Sequence, residues 1–264
     1  MSDLQERAPD APSAAAMPDV RALTMGDLRQ CLRLGIGDFL HAPVFGLFFG
    51  GVFALIGNVI LLALSTRDMS LLIYPFAIAF PLIGPFAAVG LYEVSRRIES
   101  GTALAWSGVL SVVWAQRRRE LSWMAFVILF VFWIWMYQVR LLIALFLGRM
   151  SFATWDSFFS VVFTTPDGWL FLAIGHLVGG VLALILFSIT VVSMPLLLDR
   201  EYDAVTAMIV SVRTVLASPL VMLGWGVFVT LCVLAACAPV FLGLPLVLPV
   251  LGHATWHLYR RAVV

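Results

Sequence analysis

The chain has 264 residues, of which 62% are hydrophobic and 12% charged, and a net charge of +1. A soluble domain runs at about 45–50% apolar and about 25% charged residues, so this composition excludes a water-soluble globule and indicates a polytopic membrane protein. With no basic stripe away from the membrane flanks, nucleic acid is excluded as a partner.

Residues 1–20 are rich in Ala, Pro and Asp and lack the basic and apolar regions of a signal peptide. They are expected to form a disordered cytosolic tail. Residues 21–43 read as an amphipathic interfacial helix. Within it Leu28, Leu32, Ile36 and Phe39 share one face, opposite Arg29, Gln30 and Arg33, and Thr24 and Asp27 have the spacing of a capping pair.

The membrane domain follows over 44–261. A spanning helix needs about 20 mainly apolar residues, and six stretches qualify: roughly 44–64, 70–92, 121–147, 169–192, 219–237 and 239–259. The first carries Gly46, Gly50, Gly51 and Asn58. The second carries Pro81 and Pro85, then Glu93. Arg140 interrupts the third, so that 121–139 alone suffice to span and 141–147 are left for the outer surface. The fourth carries Gly175, His176, Gly179 and Gly180 and follows a Thr165-Pro166-Asp167-Gly168 turn. The last two abut at Ala238-Pro239, which demands a tight connection, and the sixth carries Pro245, Pro249 and Gly252.

Between the spans, residues 102–116 align Trp106, Val109, Leu110 and Val113, and residues after Asp203 align Val205, Ile209, Val212 and Leu216. Phe152, Trp155, Phe159 and Phe163 suggest a further such helix on the outer side. These faces suit either the acyl boundary or packing on the bundle. Asp199, Glu201 and Asp203, with Arg200 among them, read as a solvated helix cap.

All sixteen basic residues are arginine. Base composition of the gene accounts for this, as does the guanidinium's grip on lipid phosphate at membrane edges. With the N-terminus inside, thirteen of the sixteen fall on inner segments: Arg7, Arg21, Arg29, Arg33, Arg96, Arg97, Arg117, Arg118, Arg119, Arg200, Arg213, Arg260 and Arg261. Excess arginine in short cytoplasmic segments sets orientation, so both termini are expected in the cytoplasm.

Two internal echoes stand out. Pro81-x3-Pro85 leading to Arg96-Arg97 returns as Pro245-x3-Pro249 leading to Arg260-Arg261, and Gly46-x3-Gly50-Gly51 returns as Gly175-x3-Gly179-Gly180. Six spans make the glycine-bearing pair antiparallel and the proline-bearing pair parallel, so no single repeat accounts for both. An interior proline removes a helix hydrogen bond, and in hydrocarbon the freed group needs a protein partner or a wet cavity. The proline pairs therefore mark the expected cavity between spans two and six, with Glu93 and His253 at its mouth. The glycines predict flat faces for close helix approach.

His253 and His257 lie four apart, the spacing of paired metal ligands on a helix. No third ligand accompanies them except Glu93, so the expectation is no metal and no cofactor, the imidazoles serving backbone carbonyls or headgroups and Trp256 anchoring the interface. His176 and Asn58 are expected to bond across helix interfaces, and Arg140 to snorkel or to pair with Asp156 or Asp167. The three cysteines fit neither a disulfide framework nor a zinc spacing.

The stretch Pro75–Arg97, with Gly84-Pro85 and then Gly90-Leu91-Tyr92-Glu93-Val94-Ser95-Arg96-Arg97, resembles a bacterial integral-membrane family of unknown function. The run Gly252-His253-Ala254-Thr255-Trp256-His257 is similar to it as well, and the resemblance extends over most of 25–261. Some members carry a cytochrome c oxidase subunit label. It implies an inner-membrane location and, given only four histidines, an accessory role at most. The expectation is thus an all-α polytopic bundle of about six transmembrane helices, non-enzymatic, in contact with the lipid bilayer and other membrane subunits. The alternative is a small-solute or lipid transporter with its site between spans two and six.

Overall fold

The computed structural model describes residues 17–65, 73–116, 120–148 and 155–264, with only the backbone described at 63–65, 73–86, 116 and 155. Among the described residues the regular structure is helical, apart from one isolated bridge between Val20 and Val263. The helices are α1 (Met25–His41), α2 (Pro43–Ser65), α3 (Ile73–Ser100), α4 (Trp106–Gln116), α5 (Leu121–Leu142), α6 (Trp155–Thr164), α7 (Pro166–Thr190), α8 (Ser193–Asp199), α9 (Ala204–Ala217), α10 (Pro219–Cys237) and α11 (Leu244–Ala262). This is an all-α membrane bundle. Among the described residues, four segments are long and apolar enough to cross a membrane: Pro43–Leu62, Leu121–Leu147, Pro166–Asp199 and Pro219–Cys237.

The local signals act as their chemistry requires. Thr24 and Asp27 form a reciprocal capping box at α1. Thr165 caps α7 with Pro166 in its first turn, so the Thr-Pro-Asp-Gly run opens a helix. Asp203 caps α9 through the Thr206 N–H, and Glu120 accepts from the Ala204 N–H beside it. Arg140 does not end its helix: α5 runs through it and into one π-helical stretch, Ile143–Leu147.

α11 is the axis of the molecule. Its Leu251, His253, Ala254, Trp256, Leu258 and Tyr259 are all buried. Along it lie α1 and α2, end to end and both antiparallel to it. Asp27 of α1 meets Arg261, and Gly35 meets Ala254 and Val250. Further on, Gly46 of α2 meets Pro249, Gly50 meets Pro245, and Gly57 meets Phe241. At Gly35 a methyl group would stand 2.6 Å from the Ala254 nitrogen and 2.8 Å from the Val250 oxygen. The two backbones therefore touch, and only glycine fits.

One boundary shifts here, and the buried faces of α1, α6 and α9 can be assigned. The expected tail boundary at residue 20 is too late, because Val20 pairs with Val263, and the Arg21 N–H donates to the Ala262 carbonyl at 2.8 Å. Residues 1–16 lie outside the described residues. In α1 the buried stripe is Leu28, Cys31, Gly35 and Asp38, while Ile36 is exposed. The contact face thus shares Leu28 with the apolar face read from the sequence, with Leu32 packed at its edge, and is offset from it toward the small residues. In α9 Val205, Ile209 and Leu216 are turned outward, and Ala207, Val210, Ser211 and Thr214 are buried. On α6, Phe159 and Phe163 are likewise exposed, whereas Phe152 lies outside the described residues.

The connection between α10 and α11 is a turn at 238–243, and α11 starts later than expected, at Leu244. Val240 and Phe241 have φ of 54° and 63°, a left-handed conformation that costs a β-branched residue dearly. The strain is held from α2: Asn58 Nδ2 donates to the Val240 carbonyl at 3.0 Å, as well as to Ala54 in its own helix at 2.9 Å.

Candidate functional site

Where α1, α3 and α11 converge, four polar side chains meet in an otherwise apolar interior. The Ser95 hydroxyl donates to Asp38 Oδ2 at 2.6 Å, and the same oxygen accepts from His257 Nε2 at 2.8 Å. His253 Nδ1 lies 2.8 Å from Ser95 Oγ. Ser95 and His253 are fully buried, and Asp38 nearly so. Burial pushes the Asp38 carboxyl up, but the His257 and Ser95 donors outweigh it and hold the group below its ordinary range. The Asp38 charge therefore persists inside the protein because two hydrogen bonds satisfy it.

Around this chain, the basic end of α11 is tied to its neighbours. Glu93, fully buried, accepts from Arg96 Nε at Oε2 and from Arg97 Nε at Oε1, at 2.8 and 2.7 Å. Glu99 accepts from Trp256 Nε1 at 3.0 Å and from Arg260 at 3.1 Å. Asp199 of α8 accepts from the Tyr259 hydroxyl at 2.7 Å and from Arg260 at 3.3 Å, so it is an inter-helix tie and not a solvated cap. Asp27 takes Arg261 at 2.8 Å and Arg21 at 3.0 Å.

Beside the polar chain lies an apolar cavity of about 310 Å³ between α2, α3, α10 and α11. Phe49, Phe53, Ala88, Leu91, Leu248 and Gly252 are among its walls, and Thr255 supplies a hydroxyl. That volume is at the lower edge of small-molecule clefts. Of the residues expected around a cavity between these helices, Gly252 is in its wall, and Pro245 and Pro249 are not. Pro245 stands in the first turn of α11, where no helix bond is lost, and Pro249 is the interior proline. Both abut the glycine face of α2 at Gly46 and Gly50, so they close a packing seam and do not line the cavity. α3 and α11 are each one continuous helix. The side chains of Pro81 and Pro85 lie outside the described residues.

The two glycine echoes have diverged in use. Gly46 and Gly50 are packed, whereas Gly51 and Gly180 have open space beside them, and Gly175 and Gly179 meet only Leu142 and Trp135 at ordinary contact distance. Gly175, Gly179 and Gly180 line a second cavity of about 450 Å³ between α5 and α7, together with Gln138 and His176. His176 is corrected: its Nδ1–H donates to Leu172 of its own helix at 2.7 Å, not across an interface. Arg140 is exposed on α5.

Asp38 and Ser95 are the residues that the sequence reading missed. Asp38 was legible in one respect, since Cys31, Gly35 and Asp38 follow helical spacing on one face. Ser95 carried no signal beyond its neighbours Glu93 and Arg96.

Residues 73–199 match the family described as predicted integral membrane protein (DUF2189). The DUF2189 match takes in α3 to α8, and with them the Pro75–Arg97 stretch, Glu93 and Ser95. It is narrower than the resemblance suggested, since the Gly252–His257 run lies outside it and its description carries no oxidase label. Asp38, His253 and His257 come from helices on either side of the match. No curated protein and no solved structure matches the chain.

Proposed function

We propose that this protein is a non-enzymatic carrier of the bacterial inner membrane, with both termini in the cytoplasm, that admits an apolar solute or a lipid chain between α3 and α11. The observation that carries this reading is the 310 Å³ cavity bounded by α2, α3, α10 and α11, one helical turn from a buried charged chain. Ionisable side chains at such depth mark substrate and ion pathways in membrane proteins. The arginine count supports the orientation, and Arg21, Arg96, Arg97, Arg260 and Arg261 gather at one end of the bundle.

The test is transbilayer movement of a short-chain fluorescent phospholipid in liposomes containing the purified protein. Wild type is expected to accelerate it, and Ala88→Phe, which fills the cavity, to abolish most of the gain. Movement no faster than in protein-free vesicles would sink the carrier reading.

A second reading, as an accessory subunit of a larger membrane complex, is favoured by α5. Trp123, Phe126, Phe130, Trp133 and Tyr137 expose large aromatic faces along that helix, a composition suited to a partner subunit as well as to lipid. Mild-detergent purification separates the two, and recovery only as a lone monomer counts against the accessory role.

A further inference from the structure

The polar chain has a directional arrangement of protons. Asp38 as a carboxylate only accepts, so both the Ser95 O–H and the His257 Nε2–H point at its Oδ2. The single Ser95 proton is then spent, and Oγ can only accept from His253. The proton on His253 therefore sits on Nδ1, 2.8 Å from that oxygen. Its other nitrogen, Nε2, is fully buried without a hydrogen-bond partner. A bare, buried lone pair is an unmet acceptor, and it is the point at which the chain can take up a proton.

We propose that Asp38, Ser95 and His253 form a proton relay, loaded at His253 Nε2 and discharged through Ser95 to Asp38. In the loading step a hydronium ion gives one proton to Nε2, and the imidazole becomes imidazolium. In the discharge step the Nδ1 proton moves to Ser95 Oγ as the Ser95 hydroxyl proton moves to Asp38 Oδ2. The imidazole returns to neutral, now with its proton on Nε2, and the carboxylate becomes a carboxylic acid. Asp38 then gives its proton to water, and His253 gives up the Nε2 proton as Nδ1 takes one, which restores the start. Asp38 and His257 retain slight side-chain exposure, 10% and 13%, and so form the water-facing end.

The charged groups around His253 are accounted for helix by helix. α1 presents Asp38, and α11 presents His257 one turn away. On α3, Glu93 is occupied by Arg96 and Arg97, and Glu99 by Trp256 and Arg260. Asp199 of α8 is turned to Tyr259 and Arg260. Neither α2 nor α10 contains an Asp, Glu, His or Arg. The relay goes beyond the carrier reading and does not depend on it.

Nitrogen-15 NMR of histidine-labelled full-length protein in nanodiscs tests it directly, with His253→Gln assigning the signal. In wild type near pH 8, His253 is expected as the Nδ1–H tautomer with bare Nε2. As pH falls Nε2 gains a proton, and the His257 signal shifts in the same step because both bear on Asp38. Ser95→Ala should remove that shared step, and Ser95→Thr, which keeps the hydroxyl, should preserve it. The relay is overturned if wild-type His253 holds its proton on Nε2 near pH 8, or if His253 and His257 titrate independently. The wild-type spectrum alone decides this even if Ser95→Ala does not fold.

Discussion

Whether α1 lies on the membrane or is built into the bundle can be decided with two glycines of the same helix. At Gly35 an added methyl would meet three backbone atoms of α11 at 2.6 to 2.9 Å, whereas at Gly37 it would meet nothing within 4 Å. Both substitutions to alanine gain the same intrinsic helix propensity, about 0.8–1.0 kcal/mol. The difference between them therefore isolates the contact. Separating the Gly35 methyl from the Ala254 nitrogen to ordinary contact needs a shift approaching 1 Å between two backbones, and overpacking of this kind costs about 1–3 kcal/mol. Gly37→Ala should thus raise the unfolding midpoint in detergent, and Gly35→Ala should fall below it by a difference of about 1–3 kcal/mol. The assay is thermal or denaturant unfolding of both variants at one detergent concentration. Equal stability of the two would refute the docking of α1 on α11 and return the helix to the lipid surface.

Three further outcomes follow from other contacts. Cys31 is fully buried, and burial pushes its thiol up to about 11; a maleimide at pH 8 should therefore label it at least about tenfold faster after unfolding in SDS than in the native protein, and equal rates would contradict the packing. Asp27 is held down to about 2 by the Thr24 hydroxyl and N–H first, and by Arg261 and Arg21 after them, against an ordinary value of 3.8. Since the folded state lowers this value, its stabilisation is complete above about pH 4 and is lost as pH falls through 3.8 toward 2. Asp27→Asn should abolish that acid dependence and lower stability at pH 7 by about 1 kcal/mol; an unchanged slope in midpoint against pH would show that the carboxylate is not the cause. Asn58→Leu removes the donor to Val240 and should cost about 1–2 kcal/mol, read from the same unfolding curves; no loss would mean the left-handed turn holds itself.

The spans at 121–147 and 219–237 were legible because nothing in an apolar helix competes with length and hydropathy. The capping pair Thr24–Asp27 and the cap at Asp203 were equally plain, since they act within three residues. What stayed hidden depends on distant partners. α1 and α9 carry apolar stripes that any periodicity finds, yet α1 docks through Cys31, Gly35 and Asp38, and α9 through Ala207, Ser211 and Thr214. Inside a membrane the apolar face is the one lipid accepts, so close helix contacts fall to small and polar residues. The role of Pro245 and Pro249 was hidden too, because they fit the glycine notches of α2, which lie about 200 positions earlier in the chain. Of the polar chain, His253 and His257 could be named from their spacing, but no local pattern joins them to Ser95, 158 positions away.

The order of synthesis gives the axial position of α11 a further meaning. Asp27 and Arg261 are 234 positions apart, and at roughly 5–20 residues per second the ribosome needs on the order of 10–50 s to travel that distance. Until α11 is made, Asp38 and Ser95 lack His253 and His257, Glu99 and Asp199 lack Arg260, and the glycine notches of α2 stand empty. The earlier helices therefore enter the bilayer as a set of half-made contacts that only the arrival of the eleventh helix closes. Truncation ahead of α11 should leave an assembly that membrane quality-control proteases recognise, whatever the fate of its individual spans.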